Sequence, residues 1–276
     1  MQTHTEKATR FRELHQRSSA FIIPNPWDIG SARLLEHLGF EALATTSVGC
    51  AFSLGKRDHG VSRDEMMAYV AGMVAATNVP VSADLENGFG DDPETVATTI
   101  RMAAAAGLAG CSIEDSTNRS ADPIYAFDHA VDRVRAAVEA TRALSVPFTF
   151  TARAENYLHG RPDLDDTIRR LKAFQEAGAD VLYAPGMTDM KDIATLVRSV
   201  DRPVNVVAGM QGVHFELAEL SKIGVKRVSI GGALSRIAYA TCIRAATEMR
   251  DRGTFTFVDE PIASREIAEL IDPPSS

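Results

Sequence analysis

The chain has 276 residues, 45% of them hydrophobic and 24% charged, which is ordinary globular composition with ample length for a large core. Its formal net charge is −8 and its Lys and Arg residues are scattered, which argues against a nucleic-acid or anionic-membrane surface. Cys50, Cys111 and Cys242 are dispersed and odd in number, so neither a metal-binding Cys motif nor a disulfide framework is expected; no apolar leader or bilayer-length run occurs, and a cytoplasmic protein is expected.

Taken in order, residues 1–20 read as a short helix, with Phe11 and Leu14 at helical spacing. A first strand over 21–25 leads into a helix carrying Ile29, Leu34, Leu35 and Leu38 and stopped by Gly39. A second strand over 42–46 is followed by a Gly-containing loop over 47–60, and Ser62 with Glu65 forms a capping box that opens a helix to about Ala76. The third strand covers 80–84. Asp92-Pro93 then starts a helix as N-cap and first-turn proline. The fourth strand covers 110–115, and its helix carries Val131, Val134 and Val138. The fifth covers 147–153, followed by a helix capped by Asp163. The sixth covers 180–183, followed by a helix capped by Thr188. Strands over 203–207 and 226–230 follow, then a long helix over 233–249 and a tail helix over 262–270 ending in Asp272-Pro273-Pro274.

Eight short apolar runs in strict alternation with helices predict a single (β/α)8 TIM barrel over residues 1–276, with 1–20 as an N-terminal helix and 251–276 as a tail. The absence of G-x-G-x-x-G after the first strand argues against a dinucleotide-binding open sheet. In such a barrel the chemistry collects at the C-terminal strand ends. Those ends carry Asp84 and Glu86, then Glu114 and Asp115, then Arg153 and Glu155, with Tyr183, Asn205 and Gly231-Gly232 further round. Asp84 and Glu86, two apart on a strand, are expected to share a face, and paired carboxylates suit Mg²⁺ or Mn²⁺. Clustered acids would repel unless a divalent cation neutralised them. Arg153 suits a carboxylate or phosphonate, which it can bind with two parallel hydrogen bonds. Gly231-Gly232 suits either an anion at a helix N-terminus or close packing.

The motifs Thr46-Ser47, Ser53-Leu54-Gly55-Lys56-Arg57-Asp58, Ala83-Asp84-Leu85-Glu86-Asn87-Gly88-Phe89-Gly90, Gly110 to Asp115 and Thr151-Ala152-Arg153 together resemble those of the isocitrate lyase/phosphoenolpyruvate mutase superfamily across nearly the whole chain. The resemblance implies Mg²⁺ held by Asp84, with Asp58, Glu86 and Glu114 acting directly or through water. It implies backbone donors at Thr46 and Ser47 for a substrate carboxylate, and a metal-chelated 2-oxo or enol carboxylate. It also implies a homotetramer with exchanged C-terminal helices.

The loop over 116–125 carries neither the Lys-[KR]-Cys-Gly-His sequence of the lyases nor the Lys-x-Asn-Ser gate of the mutases, and offers only Asn118 and Arg119 in their place. The acid/base then falls to Tyr125, Glu155, Tyr157 or His159, and the substrate contacts to Thr46, Ser47, Arg153, Asn205, Asn118 and Gly231. The expected function is a Mg²⁺-dependent carbon–carbon lyase on a small 2-oxo or 2-hydroxy di- or tricarboxylate, working through an enolate. The alternatives are a phosphonomutase or phosphonopyruvate hydrolase, and a barrel that binds a 2-oxo acid without turnover.

Overall fold

In a computed structural model that describes residues 2–259 and 262–271, every strand runs parallel to its neighbours, in the order β1-β8-β7-β6-β5-β4-β3-β2. The strands are β1 (Phe21–Ile23), β2 (Leu43–Ala44), β3 (Val81–Asp84), β4 (Gly110–Glu114), β5 (Thr149–Arg153), β6 (Val181–Tyr183), β7 (Val204–Val207) and β8 (Arg227–Ser229). Between them lie α2 (Ile29–His37), α3 (Ser47–Ser53), α4 (Arg63–Ala76), α5 (Pro93–Ala105), α6 (Phe127–Arg142), α7 (Leu164–Ala177), α8 (Met190–Ser199) and α9 (Leu217–Lys222). Helix α1 (His4–Leu14) precedes them, and α10 (Ala233–Arg252) and α11 (Ser264–Ile271) follow. The gap between β1 and β2 is bridged by the Ala44 N–H donating to the Pro24 carbonyl at 3.1 Å. The expected (β/α)8 barrel is therefore the fold.

Local chemistry explains most boundaries. Ser62 and Glu65 cap α4 reciprocally, as the motif requires. Asp163 accepts from the Asp166 N–H at the start of α7, which ends at Gly178 in the left-handed region. Helix α8 is capped by Asp189 rather than the expected Thr188. The stretch expected to be loop over 47–60 contains a helix, α3, at its start. Ser, Val and Gly are weak helix formers, so packing decides here. A Cβ on Gly49 would stand 2.6 Å from the Thr46 side chain and 3.0 Å from that of Trp27, so the turn seats tightly against its neighbours. Gly110 opens β4 because a Cβ there would meet the Thr149 carbonyl at 2.4 Å and Phe11 at 3.0 Å.

The main core lies between the strands and their helices, and β5 is buried along its whole length. A second cluster, of Ala8, Phe11, Leu14, Phe21, Ile23, Ala42 and Ala109, ties α1 to the N-terminal strand ends. Helix α11 rests beside α2 of the same chain, and the expected Asp272-Pro273-Pro274 stop lies outside the described residues. No helix among the described residues is long and apolar enough to cross a membrane.

His15 sits in this second cluster's shell, 5% exposed and edge-on to Phe11 and Phe21. Its Nδ1 is 2.8 Å from the Phe11 carbonyl, and its Nε2 faces Arg227 Nη1 at 3.5 Å. Burial, then the Arg227 charge, push His15 down to about 3. A base lowered on folding stabilises fully above its unfolded value near 6.5, and that stability drains as pH falls towards the folded value. Replacing His15 by Gln is expected to remove about 2 kcal/mol of the stability lost between pH 7 and pH 4.5, read from urea midpoints of both proteins at each pH.

Candidate active site

Three neighbouring strands deliver carboxylates to one cation. Arg153, ending β5, donates from Nη1 to Asp84 at 3.0 Å, pairs through Nη2 with Glu114 at 3.1 Å, and donates from Nε to Glu155 at 2.8 Å. The Arg153 side chain is 10% exposed, and those of Glu114 and Glu155 are less so. Three partner charges hold Arg153 protonated against its burial. Burial pushes Glu114 well above the usual carboxylate range, and the Arg153 charge opposes that shift only in part. Asp115, the other acid expected at the mouth, takes no part: it accepts from Arg170 Nη1 at 3.0 Å and the Glu155 N–H at 2.8 Å, joining β4 to α7.

The strand-end residues line two cavities. The inner one, of about 270 Å³, is lined by Thr46, Ser47, Asp84, Arg153, Tyr183, Asn205 and Gly231 among others. The Ser47 N–H donates to Asp84 Oδ2 at 3.3 Å, so the start of α3 points at this carboxylate. Arg153 also stands over the Tyr183 ring, 5.2 Å from its centroid. Burial pushes the Tyr183 hydroxyl up to about 12, so it keeps its proton at neutral pH. Gly231 spends its N–H on the Asn25 side chain, which accepts from Ile230 as well and donates to the Thr45 carbonyl. Asn205 is likewise occupied, donating to Ser229 and accepting from Arg227.

The outer cavity, of about 570 Å³, is lined by His59, Glu86, Phe89 and Asn118 among others. Those four are the described non-glycine residues with φ between 50° and 64°. Such strain costs roughly 1–3 kcal/mol per residue and concentrates where geometry serves a purpose. It also separates the two acids expected on one face. β3 ends at Asp84, and Glu86 turns away at φ 50°, so their side chains line different cavities. The Glu86 N–H still donates to Asp84 Oδ1 at 3.3 Å.

Glu86 is 4% exposed; its Oε2 meets His59 Nδ1 at 3.0 Å, while its Oε1 has no partner. Hydrogen bonding to Glu86 raises His59 to about 9. Asp58, His59 and Glu86 offer one donor atom each, all within 4.8 Å of one another. A buried oxygen without a donor, beside further acidic groups, fits a divalent cation. Sequence reasoning missed His59, although its place directly after Asp58 was the available signal.

The proposed acid/base residues are dispersed. Tyr125 donates to Asp91 at 2.6 Å, accepts from Asn87 at 3.1 Å, and lies under the Arg133 guanidinium. His159 is exposed, with Nε2 3.1 Å from Ser116 Oγ. The loop over 116–125 closes on itself through the Ser116–Ile124 bridge and is pinned to Asp91 by Arg119 at 2.8 Å.

An α/β barrel with buried carboxylates gathered on Arg153 at its mouth has the architecture of a known class of enzymes. The family model described as phosphoenolpyruvate phosphomutase matches residues 11–250, and the chain belongs to that family. It is similar to a solved Burkholderia cenocepacia J2315 protein, provisionally assigned as a lyase/mutase, at 60% identity and TM-score 0.95 over 98% of this chain and 97% of that one. It is 28% identical to the oxaloacetate decarboxylase of Pseudomonas aeruginosa over 88% of this chain and 84% of the relative. It is 30% identical to the 2,3-dimethylmalate lyase of Eubacterium barkeri, over 79% and 77% respectively. The expectation of a lyase or mutase thus holds at the level of the family, and the protein is an enzyme of it.

Removing the Arg153 charge leaves three carboxylates facing one another. Arg153→Met is expected to cost about 3–5 kcal/mol at pH 7. Without the cation the facing carboxylates repel, and protonation relieves that repulsion, so the deficit should shrink as pH falls towards 5, which paired urea titrations at the two pH values will show.

Proposed function

We propose that this enzyme is a divalent-metal-dependent lyase that breaks a carbon–carbon bond in a small 2-oxo or 2-hydroxy di- or tricarboxylate and leaves an enolate. One observation carries the reading: an orphaned, buried carboxylate oxygen on Glu86 next to the strand ends that hold Asp84 and Glu114. The two named relatives support it, since decarboxylating oxaloacetate and cleaving dimethylmalate both break a carbon–carbon bond in a dicarboxylate. Mg²⁺ or Mn²⁺, held among Asp58, Asp84, Glu86 and Glu114, would supply Lewis-acid stabilisation of negative charge on the substrate oxygen.

The chain's own groups do the rest. Thr46, the N-cap of α3, and Ser47 line the inner cavity, where the helix start provides a positive end for the substrate carboxylate while the Ser47 N–H steadies Asp84. Arg153 keeps Asp84, Glu114 and Glu155 in place with three of its five N–H donors. Its remaining donors are available to the substrate. Tyr183 holds its proton inside the inner cavity and is the proton donor to the carbon that cleavage leaves behind. Tyr125 and His159 serve the loop instead. Exposed apolar residues on the last helices, Ile237, Ile243 and Ile267, provide a face for a homo-oligomer.

A panel of oxaloacetate, 2,3-dimethylmalate, isocitrate, methylisocitrate and phosphonopyruvate, assayed for pyruvate, glyoxylate and phosphate, tests the reading. Turnover of a carbon–carbon substrate is expected, and EDTA or Glu86→Gln should lower it at least about 100-fold. Turnover confined to phosphonopyruvate, or indifferent to EDTA, would discard it. Tyr183→Phe is expected to lower kcat by about 10²–10⁴-fold with KM little changed, and an unchanged kcat would remove Tyr183 from the mechanism.

A further inference from the structure

We propose that His59 is itself a ligand of the divalent cation, completing an Asp58–His59–Glu86 set whose nitrogen favours Mn²⁺ over Mg²⁺. The inference rests on the metal dependence proposed above and adds a residue to it. The three donor atoms lie within 4.8 Å of one another. Donors bound at 2.0–2.2 Å to one ion stand at most about 4.4 Å apart, so a small movement closes the set. Asp58 and His59 are exposed, so the set has a route for an entering ion.

The independent observation is Glu86. It is 4% exposed, and its Oε1 is buried without any hydrogen-bond partner. A buried carboxylate oxygen costs free energy unless something positive or a donor reaches it. His59 answers only the other oxygen, at 3.0 Å. An ion between them would satisfy both groups, with the ring bound as neutral imidazole through Nδ1 and a carboxylate oxygen of Asp58 as the third donor within reach. Mg²⁺ takes oxygen ligands almost exclusively, whereas imidazole is a good ligand for transition metals.

Pulsed electron paramagnetic resonance of the ion-free protein loaded with Mn²⁺ tests this without reference to turnover. A directly bound ¹⁴N coupling is expected in the native protein. It should vanish in His59→Gln while Mn²⁺ remains bound. Calorimetric titration should show Mn²⁺ affinity falling about tenfold in that variant, with Mg²⁺ affinity changing little. Mn²⁺ bound with no ¹⁴N coupling would overturn the inference and make His59 only a counter-charge to Glu86, leaving the metal-dependent reading intact. Failure of the native protein to bind either ion would overturn both.

Discussion

One buried guanidinium organises the mouth of this barrel. Asp84, Glu114 and Glu155 come from the ends of three adjacent strands, and Arg153 touches all three. Water is largely excluded, so neither the acids nor the arginine could stay charged alone at an acceptable cost. Together they form a rigid array in which each carboxylate has a fixed direction. The parallel register that sets Glu114 beside Arg153 is therefore a condition for the site as well as for the sheet.

The array also partitions charge. Asp84 is engaged by Arg153 and the Ser47 amide, inside the inner cavity. Glu86 escapes it, because the chain turns into the left-handed region just past β3. That turn gives Glu86 a different neighbourhood, with His59 and Asp58, and leaves one of its oxygens unanswered. Two carboxylates separated by one residue thus acquire distinct surroundings: Asp84 is paired with a protein cation, and Glu86 keeps one buried oxygen without a partner. The left-handed backbone at Glu86 is the conformational cost of that separation.

The barrel was legible in the chain because it is repetitive. Eight apolar runs alternate with eight helical periods, and caps such as Ser62–Glu65 and Asp163 mark where helices begin. The acids and Arg153 were legible as strand-end residues. The short helix α3 was not, since its residues have weak intrinsic preference and it forms where Gly49 can sit against Trp27 and Thr46. Nor was the engagement of Tyr125 with Asp91, which lie 34 residues apart.

Sequence alone determined the fold class and the family, because these follow from periodicity and from short motifs within single elements. Only the tertiary structure decided which acids meet Arg153, that Asp115 turns away to Arg170, that Asn25 ties β1 to β2 and β8, and that His59 stands against Glu86. The reason is physical. Strand alternation predicts a direction only while the chain remains a strand, and contacts between loops depend on dihedral angles and long-range packing that no local pattern encodes.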